Sequence, residues 1–124
     1  MSKILVVDDL RDSADSLALL FDALGHTTMT SYDGRQAVDA AKAFAPDIVF
    51  LDIGMPGLSG YEVARTLRAS AAGRALTLVA VTGWGHAEDR RRTAEAGFNH
   101  HLVKPADMAT ISAICNRIAP RPRD

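Results

Sequence analysis

The sequence predicts an α/β fold: a five-stranded parallel, doubly wound sheet with helices on both faces. Two observations predict it. Apolar runs of strand length alternate five times with longer stretches whose apolar residues recur every three or four positions, the pattern of successive βα units. Three of those runs, "ILVV" at 4–7, "DIVFL" at 47–51 and "LTLVAVT" at 76–82, are nearly continuous in apolar residues, as strands covered on both faces must be.

The elements follow in order. Ile4 to Val7 form the first strand. Leu17, Leu20, Phe21 and Leu24 then share one helical face, with Gly25 as the C-terminal stop. The second strand, His26 to Ser31, reads "HTTMTS"; being polar and β-branched it belongs at an edge of the sheet. Ala37, Val38, Ala41 and Phe44 line the second helix, which Asp33 or Gly34 caps and Pro46 keeps short. After the third strand, Asp47 to Leu51, Ser59 and Glu62 form a capping box for a helix with Val63 and Leu67 one turn apart. The fourth strand, Leu76 to Thr82, leads into the most polar helix, "HAEDRRRTAEAG". His100 to Val103 form the fifth strand, and Ala106 to Ile118 the last helix, stacking Ile111, Ile114, Cys115 and Ile118. One domain over residues 1–119 is expected, followed by an extended tail, "PRPRD", at 120–124.

Composition excludes several functions. A chain of 124 residues is the size of one domain and buries roughly two-thirds of the surface its unfolded form exposes. Its 14 basic and 15 acidic residues nearly cancel, so charge argues for neither nucleic acid nor an anionic membrane as a partner. No apolar run approaches the ~18 residues of a membrane span, and no signal-peptide core opens the chain, so the expected compartment is the cytoplasm. The single cysteine, Cys115, reads as a small core hydrophobe.

In a doubly wound sheet, ligands bind beyond the carboxyl ends of the strands. Those ends carry Asp8 and Asp9 after the first strand, Asp52 after the third, Thr82 at the fourth, and Lys104 followed by Pro105 after the fifth. Each has an ordinary explanation alone: a helix cap, a β-branched strand residue, a solvated ammonium. Together they place three carboxylates, a hydroxyl and an ammonium on one edge. Close carboxylates repel, so such a site raises a pKa or recruits a cation. Mg²⁺ suits it, because this ion takes a few carboxylate oxygens, keeps waters and completes its shell with phosphate oxygens. Asp8 and Asp9 would hold the metal, leaving the Asp52 carboxylate to attack a phosphoryl group in line.

At this point the chain resembles the response-regulator receiver domains of two-component signalling. The likeness runs from "KILVVDD" through "PDIVFLDIGMPGLSGYEVARTLR" and "LVAVTG" to "AGFNHHLVKP", nearly the whole sequence. It implies the flavodoxin-like strand order 2-1-3-4-5. It also implies that Asp52 accepts phosphate from a phosphohistidine, that Asp9, Asp52 and the Gly54 carbonyl contact Mg²⁺, and that Asp8 acts mostly through a metal-bound water. Thr82 would hydrogen-bond one phosphoryl oxygen, and Lys104 would pair with another. The Lys104–Pro105 bond would be cis, whereas from sequence alone Pro105 equally opens the last helix. Pro56, Gly57 and Gly60 match the turn and glycine beside the phosphorylated aspartate, although an ordinary Pro-Gly turn accounts for the first two.

The resemblance casts the chain as a switch rather than an enzyme: a phosphoacceptor that promotes its own phosphorylation and dephosphorylation and turns over no outside substrate. Its partners would be a histidine kinase or histidine phosphotransfer protein and an unidentified downstream protein. The span from first strand to fifth helix leaves no room for an output domain, so a stand-alone regulator or a phosphorelay receiver is expected. "GFNHHLVKP" resembles receivers attached to hybrid histidine kinases, and Arg90 to Arg92 with the fifth strand lie where the family meets its partners.

Departures from the pattern are informative. Where the family's inward-turning aromatic stands, three residues before the lysine, this chain has His101, smaller than tyrosine and titrating near neutrality; a weaker or pH-sensitive switch is expected. A metal pair with His100 is disfavoured because adjacent strand residues point to opposite faces. Gly54 and Trp84 occupy the two positions that tune phosphate lifetime in the family. A dehalogenase-type phosphohydrolase, the alternative enzyme, needs an acid where Gly54 stands, and a flavin or nucleotide binder needs a glycine-rich loop that the first strand lacks.

Overall fold

The computed structural model describes residues 2–55, 57, 59–70, 75–83, 87–104 and 108–117. Within them the chain alternates β1 (Lys3–Val7), α1 (Arg11–Ala23), β2 (Thr27–Ser31), α2 (Gly34–Phe44), β3 (Ile48–Asp52), α3 (Gly60–Ala69), β4 (Thr77–Thr82), α4 (Ala87–Ala96), β5 (His100–Val103) and α5 (Met108–Arg117). All strand pairs are parallel and the sheet order is β2-β1-β3-β4-β5, as expected. Strand ends differ from the sequence reading by one residue: His26, Asp47 and Leu76 fall just outside, while Lys3 and Asp52 fall inside.

Side chains alternate across a strand, so each central strand feeds two cores. β1 sends Ile4 and Val6 to one face and Leu5 and Val7 to the other; β3 divides Ile48 and Phe50 from Val49 and Leu51 in the same way. Through Ala37, Ala41, Val63, Leu67 and Ala96, helices α2, α3 and α4 cover the face of Leu5 and Val7. Helices α1 and α5 cover the opposite face through Ala14, Ala18, Phe21, Ile111 and Ile114. The Phe21 ring lies 4.8 Å from that of Phe50, joining α1 to the centre of the sheet. β2 lies outermost and alternates exposed with half-buried positions before ending in buried Ser31.

The buried stripe of α1 differs from expectation. Ala14, Ala18 and Phe21 are its buried residues, with Leu17 packed alongside, whereas Leu20 is half-buried and Leu24 is 39% exposed. Two alanines let the helix approach the sheet closely, which rotates the contact stripe away from the leucines. Gly25 follows α1 at a left-handed φ of 94°, the predicted stop.

The other helix signals hold. Asp33, rather than Gly34, caps α2, its Oδ1 accepting from the Gln36 amide at 2.8 Å. That helix closes through Ala45 at φ 50°, just before Pro46. Ser59 Oγ accepts from the Glu62 amide at 3.3 Å and starts α3. On α4 Arg91 reaches Glu95 at 4.0 Å, and the Arg92 guanidinium lies 4.4 Å over the Tyr61 ring of α3. Ile111, Ile114 and Cys115 are buried on α5, and burial pushes the Cys115 thiol above its ordinary pKa, in keeping with a core hydrophobe. Ala106, Ile118 and the 120–124 tail lie outside the described residues. Among the described residues no helix is long and apolar enough to cross a membrane.

Polar groups clasp the amino ends of the strands. Arg68, in the last turn of α3, donates from Nε and Nη2 to the Gly97 carbonyl at 2.9 and 2.8 Å. Its Nη1 donates to the Leu76 carbonyl and its Nη2 also to Asn99 Oδ1, both at 2.7 Å. Asn99 Oδ1 accepts in turn from the Leu78 amide, and buried Asp47 accepts the Lys3 amide at 2.7 Å.

Candidate functional site

The carboxyl ends of β1, β3 and β5 converge. Beyond β1 the Asp8 amide donates to the Ser31 carbonyl of β2, which fixes where the chain leaves the sheet. Asp8 is buried, its Oδ1 accepting the Leu10 amide at 3.0 Å, while Asp9 is exposed. Neither caps α1, whose N-cap is Leu10 with no side-chain bond, so both carboxylates are left for the site. Asp52, the last residue of β3, is 8% exposed, and its Oδ1 accepts the Gly54 amide at 3.2 Å. The Lys104 amide donates to the Thr82 carbonyl at 2.7 Å, tying the residue after β5 to the end of β4. From there its Nζ reaches Asp8 Oδ2 at 3.2 Å and Asp52 Oδ1 at 3.7 Å.

One carboxylate oxygen from each of Asp8, Asp9 and Asp52 lies within 4.8 Å of the others. Burial is the chief cause that lifts the Asp52 carboxyl above its ordinary pKa; Lys104 opposes this, Asp8 and Asp9 add to it, and the Gly54 amide pulls it back. An all-oxygen donor set of this size fits a hard divalent cation such as Mg²⁺. Asp8 has one oxygen held by the Leu10 amide and the other by Lys104. Among the described residues no group donates to Asp52 Oδ2 or to Asp9, so these are the oxygens most open to a ligand.

Tight packing places Asp52. A Cβ on Gly60 would stand 2.7 Å from the Asp52 carbonyl oxygen and 2.8 Å from the Ile53 Cα, so the N-terminus of α3 abuts the residue after β3 as only glycine permits. Gly57 adopts φ 75°, as the second residue of a Pro-Gly turn should. Pro56, Trp84 and Pro105 lie outside the described residues. Thr82 is buried at the end of β4, one position beyond the pairing of Val81 with Asp52.

His101 is half-buried, with its Nδ1 3.0 Å from the Thr93 hydroxyl of α4. Its neighbour Leu102 joins the core beneath α5, so the two residues diverge as the strand alternation predicts. An open cavity of about 480 Å³ between β5 and α5 is lined by His100, His101, Leu102, Thr110 and Ile114 among others, and by none of Asp8, Asp9 and Asp52. Thr93 and the Leu10 amide are the site contacts that sequence reasoning missed. No local pattern marks either: Thr93 sits in a polar helix, and the Leu10 contribution is backbone alone.

Comparison with known proteins matches this architecture. The family model for the response regulator receiver domain matches residues 4–116. Protein PilH of Pseudomonas aeruginosa is 30% identical over 118 residues, covering 95% of this chain and 98% of that protein. Response regulator PleD of Caulobacter vibrioides is 34% identical over 112 residues, but this chain spans only 25% of its length. Among solved structures, the receiver domain of the sensor histidine kinase PA1611 of Pseudomonas aeruginosa, described with a magnesium ion coordinated in its active-site cleft, shares 31% identity at a TM-score of 0.86, with 94% of this chain and 96% of that one covered. Vibrio cholerae CheY4 superimposes at a TM-score of 0.90 over 96% of this chain and 99% of its own, with 24% identity, a likeness of fold.

Proposed function

This chain belongs to the response regulator receiver domain family, phosphorylation-operated switches of two-component systems, and from that premise we propose that Asp52 is the residue phosphorylated. The observation that carries this is the position of Asp52, buried at the end of β3 beside Asp8, Asp9 and the Lys104 ammonium. Its Oδ1 is occupied by the Gly54 amide, so Oδ2 attacks. The Oδ2–phosphorus bond forms as the nitrogen–phosphorus bond of the donor phosphohistidine breaks, and the electron pair returns to the donor imidazole. Lys104 then leaves its contact with Asp52 for a phosphoryl oxygen, and Thr82 donates its hydroxyl to another.

Asp9, Asp52 and the Gly54 carbonyl would hold Mg²⁺, and Asp8 would act on it mostly through water. When bound, the ion screens the charge of the transferring phosphoryl oxygens. The same residues serve autophosphorylation from small donors and hydrolysis of the acyl phosphate, so the chain promotes both on itself. Its donor is a histidine kinase or histidine phosphotransfer protein of the cytoplasm. The surface of α4 and β5, including Arg90 and Arg91, meets a downstream protein, and His101 changes position when Asp52 is modified.

Incubation with Mg²⁺ and a small phosphodonor, followed by intact mass measurement, tests the assignment. Wild type should gain one phosphoryl group, and Asp52→Asn none. Equal labelling of both would move the acceptor elsewhere.

A further inference from the structure

Two hydrogen bonds meet at the Thr93 hydroxyl. Its oxygen is 2.9 Å from the Arg90 carbonyl, to which it donates, and 3.0 Å from His101 Nδ1. A hydroxyl has one hydrogen to give. With that hydrogen directed at Arg90, only lone pairs face the ring, a geometry that suits a donor at His101 Nδ1. Thr93 itself is 2% exposed on the sheet-facing side of α4, where water does not easily replace it as a partner. The adjoining residue Arg92 stacks on Tyr61, and the end of α4 is fixed through Gly97 by Arg68. The hydroxyl is therefore presented from a helix held at Arg92 and at Gly97.

We propose that Thr93 is a positioning residue for the switch: its hydroxyl latches the His101 imidazole against α4 in the unmodified protein, and release of this bond accompanies modification of Asp52. The proposal rests on the assignment of Asp52 and His101 given above and adds what holds the resting state. A contact made in one state alone biases the equilibrium by its own free energy, so removing it favours the other state. A net hydrogen bond of this kind corresponds to about two- to tenfold in an equilibrium constant.

The test compares the full chain with Thr93→Val, which keeps the shape and deletes the hydroxyl, and Thr93→Ser, which restores it. Long-range ¹H–¹⁵N NMR of the imidazole reads the proton position without any phosphoryl chemistry: Nδ1–H is expected in wild type and in Thr93→Ser, and loss of that bias in Thr93→Val. Titration with beryllofluoride and Mg²⁺, a mimic of the aspartyl phosphate, should show Thr93→Val binding about two- to tenfold more tightly than wild type, with Thr93→Ser close to wild type. An Nε2–H ring in wild type, or unchanged or weaker mimic binding by Thr93→Val while Asp52 is still labelled, would overturn the latch. Failure of Asp52 labelling in wild type would instead overturn the function on which it rests.

Discussion

The two ends of the sheet treat charge in opposite ways. At the amino ends, Arg68 spends its guanidinium on the Gly97 and Leu76 carbonyls and on Asn99, and Asp47 spends its carboxylate on the Lys3 amide. Every one of these charges meets fixed dipoles of the backbone or an amide, the arrangement that makes burial of a charge tolerable. At the carboxyl ends, three carboxylates face one ammonium. Burying a carboxylate beside others of its kind raises the free energy of the fold, and the elevated pKa of Asp52 registers this, chiefly through its burial and to a smaller extent through Asp8 and Asp9. The same scaffold thus uses polar residues for cohesion below and keeps them poised for chemistry above, which predicts that stability and phosphoryl acceptance are separable by mutation.

The largest test of that separation is Arg68→Ala. It leaves the Gly97 and Leu76 carbonyls without the guanidinium and should lower stability by about 3 kcal/mol in denaturant unfolding. Labelling of Asp52 in the protein that remains folded should be unchanged; a matching loss of labelling would show that the two ends are coupled. Gly60→Ala strikes the upper end through packing rather than charge. Its methyl meets the Asp52 carbonyl, so a loss of about 2 kcal/mol should accompany slower labelling, because the proposed phosphoacceptor is displaced.

Asp52→Asn should act in the other direction and stabilise the unmodified protein at pH 7. The folded state raises this pKa, so it binds the proton more tightly than the unfolded chain does. Ionisation of Asp52 therefore costs nothing below the ordinary carboxylate range, and costs its full amount once the pH passes the raised value. The advantage of the asparagine variant should accordingly shrink as unfolding is measured at progressively lower pH. A constant advantage down to pH 3 would mean that packing, not charge, is its source. The smallest effect belongs to Ala45→Gly, which relieves the left-handed φ of 50° at the end of α2 and should add about 0.5 kcal/mol with no effect on labelling.

The upper end was legible in the sequence because its signal is local. Asp8, Asp9, Asp52, Thr82 and Lys104 each stand where an apolar run stops, and five parallel strands carry all such stops to one edge. Ser59 with Glu62 and Asp33 with Gln36 were equally readable, being partners three residues apart. The lower end was not. Arg68 meets Gly97 from 29 positions away and Asp47 meets Lys3 from 44, and nothing in the neighbouring residues distinguishes either from a solvated charge. The stripe of α1 failed for a related reason: leucine spacing gives a periodicity, but how closely two alanines let the helix approach depends on the sheet beneath them. Thr93 lies between these cases, only eight residues from His101 yet on another element.

Lys104, 3.2 Å from Asp8, offsets one charge of the acidic cluster at the upper edge. Three carboxylates less one ammonium leave two negative charges, a deficit that one doubly charged ion cancels. Sodium or potassium would leave the cluster anionic, and a trivalent ion would overshoot. For the proposed metal site, charge count thus favours a divalent over a monovalent ion, with radius and coordination geometry left to choose among divalent ions, and replacing Lys104 with a neutral residue would shift the balance toward higher valence.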